Sequence, residues 1–292
     1  LIAKQSGRSR CSLFDTELEG RARALYQTTA NVERGLAEGE FVLFYQPRVN
    51  MRLGTVVGVE ALIRWAHPEE GLILPVSFLP YVEGSEVAVR LGRWVLAEAL
   101  SQMQRWSAIG LHLPISVNIS GHHLKAPGFG EHLAKLLEAH PGIPAERLEI
   151  EILETAAMED VEKVARIIRD SASLGVSFAL DDFGTGHSSL TYVRRLPART
   201  LKIDKSFVRN ILEDPEDLAI AKGVVALARS FGREVVAEGM ETIEHGVALL
   251  SIGCEHAQGY GIAHPMPAEA VPAWIAQWKC PACWGDAPRP AT

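Results

Sequence analysis

From residue 41 onward the chain alternates short apolar runs with longer segments whose apolar positions recur at helical spacing. The short runs are FVLFYQP at 41–47, VVGVEALIRW at 56–65, PISVNIS at 114–120, RLEIEILE at 147–154, VSFALDDF at 176–183, TLKIDKSF at 200–207 and REVVAEGM at 233–240. Their length and aliphatic, β-branched character predict strands. RVNMRLGT, between the first two, is too short for a helical crossover, so these strands are expected to form an antiparallel hairpin turning near Gly54. The later strands are separated by helical stretches and can run parallel, which permits a doubly wound sheet or a closed barrel. No glycine-rich phosphate fingerprint follows the first strand-helix turn, and seven or eight strands favour closure. The expected fold class is α/β, a modified TIM (β/α)8 barrel with an antiparallel first strand.

Upstream, residues 17–38 carry Leu18, Ala22, Leu25, Tyr26 and Leu36 among charges, which suits an amphipathic linking helix. The expected organisation is a linker and helical segment over 1–38, one barrel domain over 39–279 and a C-terminal tail over 280–292. A chain of 292 residues with 47% hydrophobic content is long enough to bury the core of one such barrel. Residues 1–30 lack the apolar core of a signal peptide, and no run of eighteen apolar residues occurs, so a cytoplasmic chain without membrane contact is expected. The chain opens on Leu1, which reads as a piece of a longer polypeptide whose upstream part could carry an anchor.

The net charge of −7 argues against binding duplex nucleic acid through a basic patch, and an anionic substrate would need help from a metal. Cys11, Cys254, Cys280 and Cys283 are too few and scattered for a disulfide framework. Cys280 and Cys283 have the spacing of half a zinc site, but no second pair follows, which favours ordinary tail cysteines.

Polar residues interrupt the apolar strands at or near their C-terminal ends: Glu60, Asn118, Glu151, Asp181 with Asp182, Lys202 and Glu238, followed by Gln258 in a last strand. In a (β/α) barrel these ends converge on one rim. Five carboxylates gathered there repel one another unless protons or cations neutralise them, and carboxylates with an Asn carbonyl make a hard oxygen set suited to Mg²⁺ or Mn²⁺. Singly, each residue also has a structural account. Glu151 shares its parity with Glu149, as on a half-exposed strand face; Asn118 and Asp182 could cap helices; Lys202 could be an interior cation paired with a carboxylate. In Asp181-Asp182-Phe183-Gly184-Thr185-Gly186, two adjacent acids end a strand and glycines permit a tight loop directly afterwards, which points to function.

From about Phe41 to Met266 the chain resembles an EAL domain. The resemblance rests on Glu60-Ala61-Leu62 with Arg64-Trp65, in order with Tyr45-Gln46-Pro47, Val117-Asn118-Ile119-Ser120, Glu151-Ile152-Leu153-Glu154, Asp181 to Gly186, Leu201-Lys202-Ile203-Asp204, Ala237-Glu238-Gly239 and Gln258-Gly259-Tyr260. It implies a phosphodiesterase that opens cyclic di-GMP to linear pGpG using two divalent cations, Mg²⁺ or Mn²⁺. Glu60, Asn118, Glu151 and Asp181 would hold one ion, and Asp181, Asp182 and Glu238 the second. Lys202 would hold or help deprotonate the water, Gln258 would support water or substrate, and Gln46 and Arg64 would contact substrate. Glu154 would anchor the loop after Asp182. The resemblance also implies a homodimer formed near that loop and SSLTYVRRLP. Residues 2–14 resemble the closing segment of a GGDEF domain, implying an upstream GGDEF or sensor module. Leu153, His187, Arg48 and Met240 depart from the common EAL pattern. A receptor that binds cyclic di-GMP without turnover is the competing reading, and the full ligand set with Lys202 favours catalysis.

Overall fold

The hairpin expected at Gly54 forms between β1 (Phe41–Asn50) and β2 (Thr55–His67), paired antiparallel from Phe41 opposite Trp65 to Asn50 opposite Thr55. Gly54 takes φ 66°, a left-handed conformation that glycine adopts without a Cβ penalty. The register slips by one residue between Arg48 and Val49, a bulge that adds twist where the sheet must curl. These features belong to a computed structural model that describes residues 28–185 and 190–285, with residues 190 and 191 described in backbone only.

After β2, the short β3 (Gly71–Ile73) folds back antiparallel on its end. β4 (Ile115–Asn118) pairs parallel with β2, and β5 (Leu148–Leu153), β6 (Ser177–Phe183), β7 (Thr200–Ile203), β8 (Glu234–Ala237) and β9 (His256–Gln258) follow in spatial order, each parallel to the one before. β1 pairs antiparallel with both β2 and β9 and so closes an eight-stranded barrel, with β10 (Met266–Pro267) added on β1 outside the ring. The expected fold is therefore the observed one.

Several strands end earlier than their apolar runs. β7 stops at Ile203 because Asp204 caps the next helix, its Oδ1 accepting from the Ser206 N–H at 2.9 Å. β5 stops at Leu153, and Glu154 opens helix Glu154–Met158. Helix Glu86–Ala108 covers the barrel wall with Leu91, Val95, Leu96, Ala99, Leu100 and Met103, buried at helical spacing.

The reversed β1 brings the incoming chain to the rim where the parallel strands end. Residues 28–38 form a helix there, while 17–27 of the anticipated segment lie outside the described residues. Val32 of this helix is buried, and the Trp65 indole N–H donates to Glu40 at 2.7 Å. At the chain's other end Trp284 is buried and donates to the Ile243 carbonyl at 3.0 Å, so residues 280–285 dock against helix Ile243–Ile252. Among the described residues no helix is long and apolar enough to cross a membrane.

Candidate functional site

Strand alternation turns Glu149 and Glu151 of β5 to the same side, and both are buried in the barrel, which removes the half-exposed face as an account of Glu151. Lys202 does the same from β7, which lies one strand beyond β6 in the ring, and is fully buried. Its Nζ donates to Glu151 Oε2 at 2.5 Å and lies 2.5 Å from Glu238 Oε1, 3.3 Å from Asp181 Oδ1 and 3.5 Å from Glu60 Oε2. One ammonium thus holds four carboxylates that reach it from four strand ends.

Glu60 is fixed from both sides. Asn118 Nδ2 donates to its Oε1 and Gln258 Nε2 to its Oε2, both at 2.6 Å. Gln258 also donates to Gln46 Oε1 at 2.9 Å, and Gln46 Nε2 reaches the Ala263 carbonyl at 2.9 Å. Gln46 faces Glu60 because the two residues are directly opposite in the hairpin register.

At the end of β6 the pairing with β7 is irregular between Leu180 and Phe183, and Asp182 takes φ 52°. Among the described residues it is the only non-glycine at positive φ, a conformation that persists where surrounding structure enforces it. The enforcement is visible on both sides: the Asp182 N–H reaches Asp181 Oδ1 at 3.1 Å, and Glu154 Oε2 accepts from the Gly184 N–H at 3.0 Å. Asp181, Asp182 and Glu238 each present a carboxylate oxygen within 4.8 Å of the others.

Burial and mutual repulsion set the protonation of this group. Burial works against a charge on Lys202, yet Asp181, Glu151, Glu238 and Glu60 together raise its pKa well above the usual lysine value, so it is an ammonium. Burial and the Glu60 charge push Glu151 well above the carboxylate range, outweighing Lys202. Glu238 is raised to about 8, chiefly by burial, and Asp182 to about 6 by burial and then by Asp181. Glu60 goes the other way: against burial, Lys202 and the Gln258 and Asn118 amides hold its pKa low.

Gln46, Glu60, Asp181, Glu238 and Gln258 line a cavity of about 240 Å³, whose wall is completed by Lys205, Arg209, Glu241 and Tyr260 among others. Asn118 and Glu151 lie at the edge of a neighbouring apolar cavity of about 360 Å³, bounded by Leu62, Pro75, Leu79, Leu91 and Leu153. Arg64 lines neither: its guanidinium lies over the Phe44 ring at 5.7 Å and donates to the Ile63 carbonyl at 2.9 Å. His187 lies outside the described residues.

The chain matches the EAL domain over residues 29–265. It belongs to the EAL domain family. It is 38% identical over 275 residues to the bifunctional diguanylate cyclase/cyclic di-GMP phosphodiesterase MucR of Pseudomonas aeruginosa, covering 94% of this chain and 40% of MucR. It is 34% identical over 276 residues to the cyclic di-GMP phosphodiesterase PdeR of Escherichia coli, covering 94% of this chain and 42% of PdeR. The chain therefore spans less than half the length of these relatives. Among solved structures, the phosphodiesterase of PaMucR in complex with c-di-GMP superposes with a TM-score of 0.80 at 39% identity, covering 84% of this chain and 99% of that one.

Asp204 has no role that its motif in the sequence assigns, yet in this EAL domain its carboxyl hydrogen-bonds with that of Asp182, which adds to the raised pKa of Asp182. The available signal was position: Asp204 lies two residues past Lys202, where strand parity aims it at the same rim. Lys205, Arg209 and Tyr260 were missed for a different reason. They stand on the short helix Lys205–Arg209 and on the turn after β9, beyond strand ends, where alternation no longer tells which way a side chain points.

Proposed function

We propose that this EAL domain hydrolyses one phosphodiester of cyclic di-GMP and releases the linear dinucleotide pGpG. The observation that carries the reading is the ring of Glu60, Glu151, Asp181 and Glu238 about one buried lysine, with Glu60, Asp181 and Glu238 lining a cavity beside Gln46, Gln258, Lys205 and Arg209. MucR and PdeR, to which the chain is similar over nearly its whole length, both bear cyclic di-GMP phosphodiesterase in their names, which supports the substrate.

The donor set fits divalent ions. Every proposed ligand offers a hard oxygen, three carboxylates already converge, and Glu151 Oε1 is buried without a hydrogen-bond partner. In this reading Glu60, Asn118, Glu151 and Asp181 hold one Mg²⁺ or Mn²⁺, and Asp181, Asp182 and Glu238 a second. Bound there, such ions acidify a water and neutralise charge on the reacting phosphodiester.

The protein's own groups do the remaining work. Lys202 keeps the carboxylates of Glu60, Glu151, Asp181 and Glu238 converged and offers N–H donors to the attacking water. Gln258, tied to Glu60 and Gln46, fixes the orientation of Glu60 and leaves the Gln46 side to meet substrate. Lys205 and Arg209 bring positive charge to the cavity wall, where the two phosphates of the substrate need it. Arg64 reaches substrate only by leaving Phe44. Glu154 holds the loop that carries Asp182.

A homodimer, an upstream cyclase or sensor module and a cytoplasmic location are proposed on the same footing. MucR is named for both activities and extends well beyond the matched stretch. Chromatographic analysis of cyclic di-GMP incubated with the domain and Mg²⁺ or Mn²⁺ tests the central claim. Conversion to pGpG that stops with chelator, and is lost in Glu60→Ala and Asp181→Ala, is the expected result. Binding of intact substrate with no conversion at saturating metal would make the domain a receptor instead.

A further inference from the structure

Beneath the site lies a second polar layer that the proposed chemistry does not use. Arg48 of β1, a residue unexpected in that strand, points into the barrel and donates to Glu149 Oε1 at 2.7 Å. The other oxygen of Glu149 accepts from Thr200 Oγ1 at 2.7 Å. Glu149 and Thr200 each precede a site residue by two positions, Glu151 and Lys202 respectively. β5 and β7 are therefore joined over the intervening β6 by two stacked rungs, Glu149 to Thr200 below and Glu151 to Lys202 above. Gly58 stands opposite Arg48 in the hairpin, and Ala179, a small residue, occupies the strand between β5 and β7.

Two strand residues separate successive rungs by only about 6.6 Å. The four-carbon stem of lysine spans that distance by changing rotamers. A lone Glu149 carboxylate would therefore be a rival for the Lys202 ammonium, and an attractive one, because an unpaired buried charge is far costlier than a paired one. We infer that Arg48 is a positioning residue: by occupying Glu149 from below, it keeps Lys202 in the upper rung against Glu151 and Glu238. Arg48 touches neither the cavity nor any proposed metal ligand, and acts through Glu149 and Lys202. The inference rests on the hydrolase reading only where turnover is the readout.

The test compares Arg48→Met, Arg48→Lys and the double variant Arg48→Met with Glu149→Met. Each is measured for Mn²⁺ affinity by calorimetry, for kcat and KM on cyclic di-GMP, and for melting without metal, all per folded protein at low temperature. In Arg48→Met the freed Glu149 draws Lys202 down, so Mn²⁺ affinity and kcat each fall by about tenfold or more, in keeping with the cost of a 1 Å misplacement, while KM holds. Arg48→Lys, which keeps the charge, and the double variant, which removes the rival, both return to within about threefold of the parent, well short of the tenfold step that marks a lost interaction. A merely structural pair gives another pattern: melting falls in Arg48→Met and recovers in the double variant, while Mn²⁺ affinity and kcat stay at parental values throughout. That pattern overturns the inference, as does a double variant no better than Arg48→Met. If Arg48→Met does not fold, Arg48→Gln replaces it under the same criteria. A parent protein that binds Mn²⁺ without hydrolysing cyclic di-GMP sinks the hydrolase reading alone, and the Mn²⁺ arm then decides this one.

Discussion

A fully buried lysine is expensive unless its charge is met, and Lys202 is met four times over. Its removal leaves Glu60, Glu151, Asp181 and Glu238 facing one another with no cation between them. Lys202→Met is therefore expected to lower metal-free stability by about 3–5 kcal/mol, the cost of breaking a buried pair from one side, read as a lower urea midpoint. Added Mn²⁺ should recover much of that loss, whereas turnover should stay at least about a hundredfold down, at the low end of what a general acid-base group supplies; a metal-rescued variant with full turnover would remove Lys202 from the chemistry. A second buried group behaves in the opposite way. His123 has no partner for either ring nitrogen, and its ring lies so close to Gly92 that a Cβ there would meet Nδ1 at 2.2 Å. Burial, with Arg93, His132 and His122 nearby, lowers its pKa to about 4. Since the unfolded chain takes up this proton near the ordinary value of about 6.5, the stability His123 contributes is complete above that pH. It is lost as pH falls towards 4, by about 2 kcal/mol at pH 5. Urea unfolding at pH 7 and pH 5 should show the parent losing that much more than His123→Leu, and equal losses would mean the imidazole is already solvated.

At the scale of elements, the turn from β6 into the following loop is where sequence and geometry meet most tightly. Asp182 sits at positive φ because the strand ends in a bulge, and the Gly184 N–H behind it is held by Glu154 from the start of the neighbouring helix. Glu154→Ala leaves that donor unpaired and frees the loop to move Asp182 away from Asp181 and Glu238. The expected outcome is a stability loss of only about 1–2 kcal/mol, the usual scale for one hydrogen bond to a charged group, beside a fall in kcat of about tenfold or more, given how steeply rate depends on placement. Glu154→Gln, which keeps an acceptor, should recover most of the rate; an equally slow Gln variant would show that charge rather than anchoring matters. Much of this was legible beforehand, because strands announce themselves by apolar runs and their ends by the polar residue that interrupts them. Glu60, Asn118, Glu151, Asp181 and Lys202 were found that way. What stayed hidden depends on partners distant in sequence. Arg48 reads as an oddity until Glu149 is seen across the barrel, Arg64 turns from the cavity because Phe44 lies beside it, and Asp204 gains its role only from Asp182.

For the whole molecule, closing the barrel is what concentrates charge. Strands spread over nearly two hundred residues deliver Glu60, Glu151, Asp181, Asp182 and Glu238 to one rim, with one buried ammonium, in a chain already carrying a net charge of −7. Unfolding separates these groups and returns them to water, so the folded state alone bears their repulsion and it alone holds a preformed ligand set. An ion that binds this state and not the open chain stabilises it by mass action, about 2.7 kcal/mol at a hundred times its dissociation constant. For a domain of this size, that corresponds to a rise in melting temperature of roughly 5 °C or more, since about 1 kcal/mol shifts it by 2–4 °C. Melting followed with and without Mg²⁺ or Mn²⁺ should show this rise, and chelator should reverse it. Asp181→Ala, which removes the carboxylate proposed to be shared by both ions, should abolish the rise while itself melting no lower than the metal-free parent, because it also relieves repulsion at the rim. A parent protein whose melting ignores both ions would mean that Lys202 and protons already neutralise the cluster, and that the rim is not a metal centre.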